Sequence, residues 1–184
     1  MLEDRNILLG ITGGVAAYKA VDLASKLTAA GATVRTVMTE SAREFVTPKS
    51  FEAVTQSTVL TTLWSAPDER QSVHIALADW TQIVVVAPAT ANIIGKVVHG
   101  ICDDLLSTTL CACWERPTLF APAMNSRMWA SPAVQSNIEA LKRRGVETIG
   151  PASGRLACGT EGVGRMAEPG EILEAIEALA DKLE

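Results

Sequence analysis

Only two side chains in this sequence titrate near neutral pH when unperturbed, His74 and His99. His74 opens the run His74-Ile75-Ala76-Leu77, which reads as a helix start. A neutral imidazole there can remove a proton or orient a carboxylate, or it can be a satisfied structural histidine. His99, beside Gly100, reads as structural. Cys111 and Cys113 form a C-x-C pair that lacks zinc-knuckle spacing and has no histidine close by, so no metal site is predicted. With Cys102 they read as buried free thiols of a reducing cytoplasm. Cys158 stands apart, in a stretch from Gly154 to Met166 that carries four glycines in thirteen residues. That stretch reads as an exposed loop or as a flap near 153–166. An ordinary thiol has a pKa of about 8.5, so Cys158 stays mostly protonated near neutrality and can act as an acid.

The other candidate groups are small or polar. Gly13 and Gly14 sit between a strand and a helix, where glycine permits close approach of a ligand and a helix N-terminus offers free N–H groups to an anion. They are neither G-x-G-x-x-G nor a Walker loop, and a tight strand–helix turn explains them equally well. Thr39 and Ser41 can donate hydroxyl hydrogen bonds to the same anion or cap a helix. Without a Lys clamp, this set suits a monophosphate better than a triphosphate.

The elements that must hold these groups follow from hydrophobic periodicity. Asn6–Thr12, Ala32–Met38, Gln82–Ala87, Thr118–Ala121 and Val146–Ile149 read as strands. Val15–Ala30, Phe51–Gln56, Ala91–Val98, Asp103–Cys113, Pro132–Arg144 and Glu171–Leu183 read as helices. The apolar run Val84-Val85-Val86 suits a strand buried on both faces. Strands alternating with helices predict an α/β fold, a doubly wound and mostly parallel sheet in a single domain spanning 1–184. Such sheets bind ligands beyond the C-terminal ends of their strands. The runs Thr12-Gly13-Gly14, Thr39-Glu40-Ser41, Pro88-Ala89-Thr90-Ala91-Asn92 and Pro122-Ala123-Met124-Asn125 fall there. Sixteen Lys plus Arg against twenty-one Asp plus Glu leave a net charge of −5, which argues against nonspecific nucleic-acid binding. Neither a membrane span nor a basic n-region with an apolar h-region is visible, so a cytoplasmic protein is expected.

Four runs occur in order: Pro88-Ala89-Thr90-Ala91-Asn92, Gly100-Ile101-Cys102-Asp103-Asp104-Leu105-Leu106, Pro122-Ala123-Met124-Asn125-x-x-Met128-Trp129 and Leu156-Ala157-Cys158-Gly159. Together they resemble the flavin-containing cysteine decarboxylases over nearly the whole chain, about Asn6 to Leu183. Ile93 stands where that family more often has Thr. The resemblance implies a Rossmann-like flavoprotein subunit that binds FMN between subunits, in homotrimers or a dodecamer of trimers. It implies that Gly13, Gly14, Val15, Thr39 and Ser41 meet the flavin phosphate and ribityl region. Ala89, Thr90, Ala91, Asn92 and Ala123 are implied as further flavin contacts. His74 matches the active-site histidine, Asn125 and Met128 the substrate motif, and Arg155, Ala157 and Met166 substrate contacts on the flap. Cys158 matches a proton donor.

The implied substrate is phosphopantothenoylcysteine, and the family's ligase partner can be fused or separate. Direct loss of CO₂ from that substrate would leave an unstabilised carbanion, and its amide nitrogen cannot form a Schiff base. Oxidation of CH₂–SH to a thioaldehyde places the carboxylate β to C=S, so decarboxylation gives a delocalised enethiolate. Return of the electrons and a proton gives the thiol, with no net redox change. A neutral Asn125 can hold the carboxylate without resisting its departure, as an Arg would; the same amide can cap a helix. Closure of the flap would keep water from the intermediates. A peptidyl-cysteine decarboxylase that stops at the enethiol has no use for Cys158. A flavin prenyltransferase fits the Pro-Ala-Met-Asn run poorly, and a regulatory, non-catalytic binding subunit would not need the full catalytic set.

Overall fold

Asn6–Ile11 forms the first strand, β1, buried from its second residue onward. It leads into α1 (Ala17–Ala29), which buries Ala17, Ala20, Leu23, Ala24 and Leu27, one stripe at helical spacing. The structure, a computed structural model, describes residues 2–64, 72–155, 157 and 159–182. The chain continues through β2 (Thr33–Met38), a 3-10 turn (Glu40–Glu44), α2 (Pro48–Thr55), α3 (Val73–Trp80) and β3 (Ile83–Ala89). Then come α4 (Ala91–His99), α5 (Leu105–Ala112), β4 (Thr118–Pro122), α6 (Ser126–Trp129), α7 (Pro132–Arg143) and β5 (Glu147–Thr148). A hairpin of β6 (Ala152–Arg155) and β7 (Glu161–Arg165) precedes α8 (Pro169–Asp181).

Five strands pair in the order β2-β1-β3-β4-β5, all parallel. Side chains alternate across this sheet with period two. Ile7, Leu9, Ile11, Ile83, Val85 and Leu119 face a core shared with α1, α2 and α8. Leu8, Val84, Val86 and Phe120 face the other core, shared with α3, α4, α5 and α7. Burial on both faces explains why β3 is apolar at every position. This is the expected doubly wound fold, and its strand order puts a switch point between β1 and β3.

Several boundaries differ from the sequence reading. β3 runs on to Ala89, past Pro88; a register shift between Val86 and Ala89 absorbs the missing N–H donor before the ladder resumes at Ala89 and Pro122. α2 starts at Pro48 and α8 at Pro169, because proline with its fixed φ is accommodated in a first turn. The stretch near 153–166 is not featureless loop: the antiparallel hairpin occupies it, with Leu156 and Cys158 outside the described residues. Its strands are glycine-rich and only partly buried, so they carry no apolar alternation to read. The thiols are also corrected: Cys113 is buried, but Cys102 and Cys111 are exposed. Cys102 lies in the loop between α4 and α5, and Cys111 is on the outer face of α5. Among the described residues no helix is long and apolar enough to cross a membrane.

Candidate active site

A cleft of about 710 Å³ opens beyond the C-terminal ends of β1, β3 and β4. Its floor is the loop Gly13-Gly14-Val15-Ala16 that feeds α1, with Thr90 and Ala91 at the head of α4 beside it. The opposite wall is Ala123, Met124, Asn125 and Met128, and the hairpin contributes Arg155, Ala157, Gly164, Arg165 and Met166. Thus eleven residues proposed from sequence stand together: Gly13, Gly14, Val15, Thr90, Ala91, Ala123, Asn125, Met128, Arg155, Ala157 and Met166.

The local chemistry that shapes this cleft is legible atom by atom. The buried Thr12 hydroxyl donates to the Pro88 carbonyl at 2.6 Å and accepts the Thr90 N–H at 3.2 Å, so β1 and β3 end at a fixed spacing. Gly13 packs directly on Ser41: a Cβ on Gly13 would sit 2.4 Å from that of Ser41. A Cβ on Gly14 would meet only the Thr90 methyl, at 3.7 Å. α1 follows its N-cap Ala16 without a side-chain cap and without an acidic residue in its first turn. A thirteen-residue helix therefore presents its positive end to the cleft floor. Asn125 caps α6, its Oδ1 accepting the Arg127 N–H at 2.8 Å, which fixes the amide plane on the cleft wall. The hairpin is pinned to this wall where the Met124 N–H donates to the Gly164 carbonyl at 3.0 Å.

Charge is arranged on one side. Glu168, the N-cap of α8, accepts from Lys19 at 2.7 Å and from Arg165 at 2.9 Å. Both cations line the cleft. The hydrogen bond from Lys19 is the main cause holding the Glu168 carboxyl below the usual glutamate range, with Arg165 adding to it. With Arg155 this makes a cationic rim. Sequence reading missed Tyr18, Lys19 and Arg165 as members. The position of Lys19, early in the helix after Gly13-Gly14, was the one signal available for any of them.

Other expected residues do not meet the cleft. His74 is half-buried on α3, on the sheet face opposite α1, and does not line it. Ala89 is fully buried in β3, where its carbonyl accepts the Ala123 N–H at 3.1 Å, so it supports the wall without forming it. Asn92 is exposed on α4. Thr39 caps the 3-10 turn, accepting the Ala42 N–H at 3.3 Å, and Ser41 reaches the floor only through Gly13. Cys158 lies outside the described residues. Among the described residues no cluster of three or more metal-ligating side chains exists.

Known proteins share this architecture. The chain is 48% identical over 177 residues to the coenzyme A biosynthesis bifunctional protein CoaBC of Bacillus subtilis, covering 96% of this chain and 43% of that protein. It is 42% identical over 173 residues to CoaBC of Escherichia coli, covering 94% of this chain and 42% of that protein. The chain therefore spans less than half the length of these curated relatives. Among solved structures, a cysteine-to-serine mutant of PPC decarboxylase complexed with pantothenoylaminoethenethiol superposes with a TM-score of 0.88 at 33% identity, covering 97% of this chain and all of that one. The FMN-dependent cysteine decarboxylase SpaF gives a TM-score of 0.84 at 32% identity, with both chains fully covered. A model of the Flavoprotein family matches residues 1–181, the sheet, the cleft and the hairpin alike, and on that ground the chain belongs to the Flavoprotein family.

Proposed function

We propose that this chain is an FMN-dependent phosphopantothenoylcysteine (PPC) decarboxylase, converting its substrate to phosphopantetheine and CO₂ in coenzyme A biosynthesis. The observation that carries the reading is the meeting, in one cleft at the β1/β3 switch point, of the Gly13-Gly14 floor, the Asn125–Met128 wall and the hairpin residues Arg155, Ala157 and Met166. The cleft suits FMN. The uncapped start of α1 can receive a phosphate, Gly14 leaves room for it, and the apolar Val15, Ala91 and Ala123 can cover a ring system. Bound FMN would supply a two-electron sink and return the same electrons, so the reaction needs no external oxidant.

The chain's own residues do the rest. Asn125 donates an amide N–H to the substrate carboxylate and holds it without a countercharge that would oppose its departure. Arg155, Ala157 and Met166 cover the substrate from the hairpin, excluding water from the thioaldehyde and enethiol. Lys19 and Arg165, steadied by Glu168, leave the rim favourable to an anionic substrate. Cys158 delivers the proton at carbon that restores the saturated thiol. His74 removes a proton or orients the carboxylate. Because it does not line the cleft of its own subunit, we assign it to the cleft of a neighbouring copy, in a homotrimer or a dodecamer of trimers. A phosphopantothenoylcysteine ligase, fused or separate, is the partner that the bifunctional relatives suggest.

The test is turnover. The purified protein should be yellow and should convert phosphopantothenoylcysteine to phosphopantetheine with release of CO₂. A protein that instead acts only on peptides ending in cysteine, leaving an enethiol, is a peptidyl-cysteine decarboxylase. A colourless protein that takes up no added FMN removes the flavin reading altogether.

A further inference from the structure

Cys102 and Cys111 meet on the surface, away from the cleft. Cys102 lies in the loop that joins α4 to α5, and its Sγ sits 4.0 Å from the Ser107 carbonyl. Ser107 is one helical turn before Cys111 and accepts its N–H in an α-helix. The two thiols therefore share one ridge of α5, and both are exposed. The loop that carries Cys102 is held from both sides. Lys96 pairs with Asp103 at 2.6 Å and with Asp104 at 2.7 Å, and Asp104 closes a capping box on α5 with Ser107. Cys102 is thus fixed beside Cys111. Cleft residue Thr90 heads α4, and this loop follows its C-terminus, about 13 Å along nine residues of helix.

We propose that Cys102 and Cys111 form a reversible dithiol–disulfide couple, oxidised by exchange with small uncharged or cationic disulfides. One thiolate attacks a sulfur of the small disulfide RSSR, and one RS⁻ leaves and is protonated. The other thiolate attacks the protein sulfur of the mixed disulfide, closes the Cys102–Cys111 bond and expels the second thiol. The protein loses two electrons and two protons, and the small disulfide gains them. Cys113, although in the same C-x-C run, does not compete: it is buried, and burial pushes its thiol up to about 11. Partial burial, then the hydrogen bond and charge of Cys111, then Asp103 and Asp104, hold the Cys102 thiol above its ordinary range. Exchange should therefore be slow near neutrality and accelerate as pH rises. Two carboxylates against one Lys96 ammonium leave the site negative, which sets the preference against anionic reagents.

The experiment uses the full folded chain, treated separately with cystamine, hydroxyethyl disulfide and glutathione disulfide. The protein is then denatured in acid, blocked with N-ethylmaleimide and digested with trypsin. Trypsin leaves the Arg116–Pro117 bond intact, and no other Lys or Arg lies between Val97 and Ser126, so Cys102, Cys111 and Cys113 fall in one peptide ending at Arg127. After cystamine that peptide should be two hydrogens lighter than the reduced one and carry a single maleimide, on Cys113. Cys102→Ser should instead retain half of the reagent as a mixed disulfide on Cys111. Cystamine should react about tenfold faster than glutathione disulfide, the scale of a local charge effect. A maleimide on Cys102 or Cys111 in the oxidised wild-type peptide, or stable mixed disulfides at both, would overturn the couple. Equal rates for cystamine and glutathione disulfide would overturn the charge preference.

Discussion

The Thr12 hydroxyl ties the end of β1 to the Thr90 N–H at the end of β3, at 3.2 Å, while donating to Pro88 at 2.6 Å. One buried hydroxyl thus sets the spacing between the glycine floor of the cleft and the head of α4. Thr12→Val keeps the shape but leaves a buried carbonyl and a partly buried N–H without a partner, at a cost of about 1–3 kcal/mol each. It should lower the urea midpoint and weaken FMN uptake together. Thr12→Ser keeps the hydroxyl and should restore both. A valine variant that binds FMN normally would show that the strand ends hold their spacing without this bridge.

Gly13 and Gly14 separate steric packing from ligand access. Alanine at Gly13 would place its Cβ 2.4 Å from Ser41 Cβ and 2.9 Å from the Ser41 backbone, so the 3-10 turn must shift. That overpacking should cost about 1–3 kcal/mol in unfolding free energy. Alanine at Gly14 meets only Thr90, at 3.7 Å, and should fold normally while narrowing the cleft floor. Thermal unfolding of the apo forms and flavin titration of each variant distinguish the two effects. If Gly14→Ala binds FMN as tightly as the wild type, the phosphate does not lie over this loop.

Much of this was readable from residue order because the central strands β1, β3 and β4 are buried on both faces and are bounded by small or turn-forming residues. Val84-Val85-Val86 and the Gly13-Gly14 turn carry that signal in full. What was not readable depends on pairing across the chain. The hairpin has short strands with glycines at 154, 162 and 164 and no apolar face, so only its register on itself and the Met124–Gly164 hydrogen bond reveal it. Lys19 and Arg165 are 146 positions apart, and nothing local links them; Glu168 does so only once α1 and α8 pack side by side. Thr39 and Ser41 had two readings from sequence, and the structure assigns Thr39 to the turn.

The Glu168 ion pairs should respond to acid. Its carboxyl is held below the usual glutamate value, chiefly by the Lys19 hydrogen bond, so the folded state binds this proton less readily than the unfolded chain. The resulting stability is fully present above the unfolded value of about 4.3 and is lost as pH falls through the lower folded value. Because Glu168 is exposed, its worth is small, under about 1 kcal/mol. Glu168→Gln keeps an acceptor for the α8 cap but loses the charge. Urea midpoints for the pair should differ at pH 7 and converge in acid; a difference that persists in acid would trace instead to helix capping.

Cys158→Ser should divide the reaction into its two halves. Serine is nearly the same size but a far weaker acid than a thiol, so CO₂ release can proceed while protonation at carbon fails. The product should be an enethiol two hydrogens short of phosphopantetheine, visible by mass spectrometry under anaerobic conditions. Its likeness to the pantothenoylaminoethenethiol held by the cysteine-to-serine mutant of PPC decarboxylase supports this expectation. Saturated thiol formed at the normal rate would remove Cys158 from the proton-donor role.

His74 and Asn125 can be tested as partners from different subunits. His74→Asn should abolish turnover without unfolding the chain, since loss of a placed proton-transfer group typically costs about 10²–10⁴ in rate. Asn125→Ala should do the same, because its amide holds the carboxylate. In this subunit His74 does not line the cleft that contains Asn125, so each inactive variant still carries the half that the other lacks. Mixed before assembly in equal amounts, the two should form sites in which one subunit gives His74 and its neighbour Asn125. For a heterologous ring interface, random mixing makes about one quarter of the sites complete, so activity should return to about a quarter of the wild-type level. Mixing after assembly should restore nothing until the oligomers exchange subunits. If co-assembled variants stay inactive while sedimentation shows them in the same particle, His74 does not serve a neighbour's cleft, and the shared-site reading fails even if the protein is a trimer.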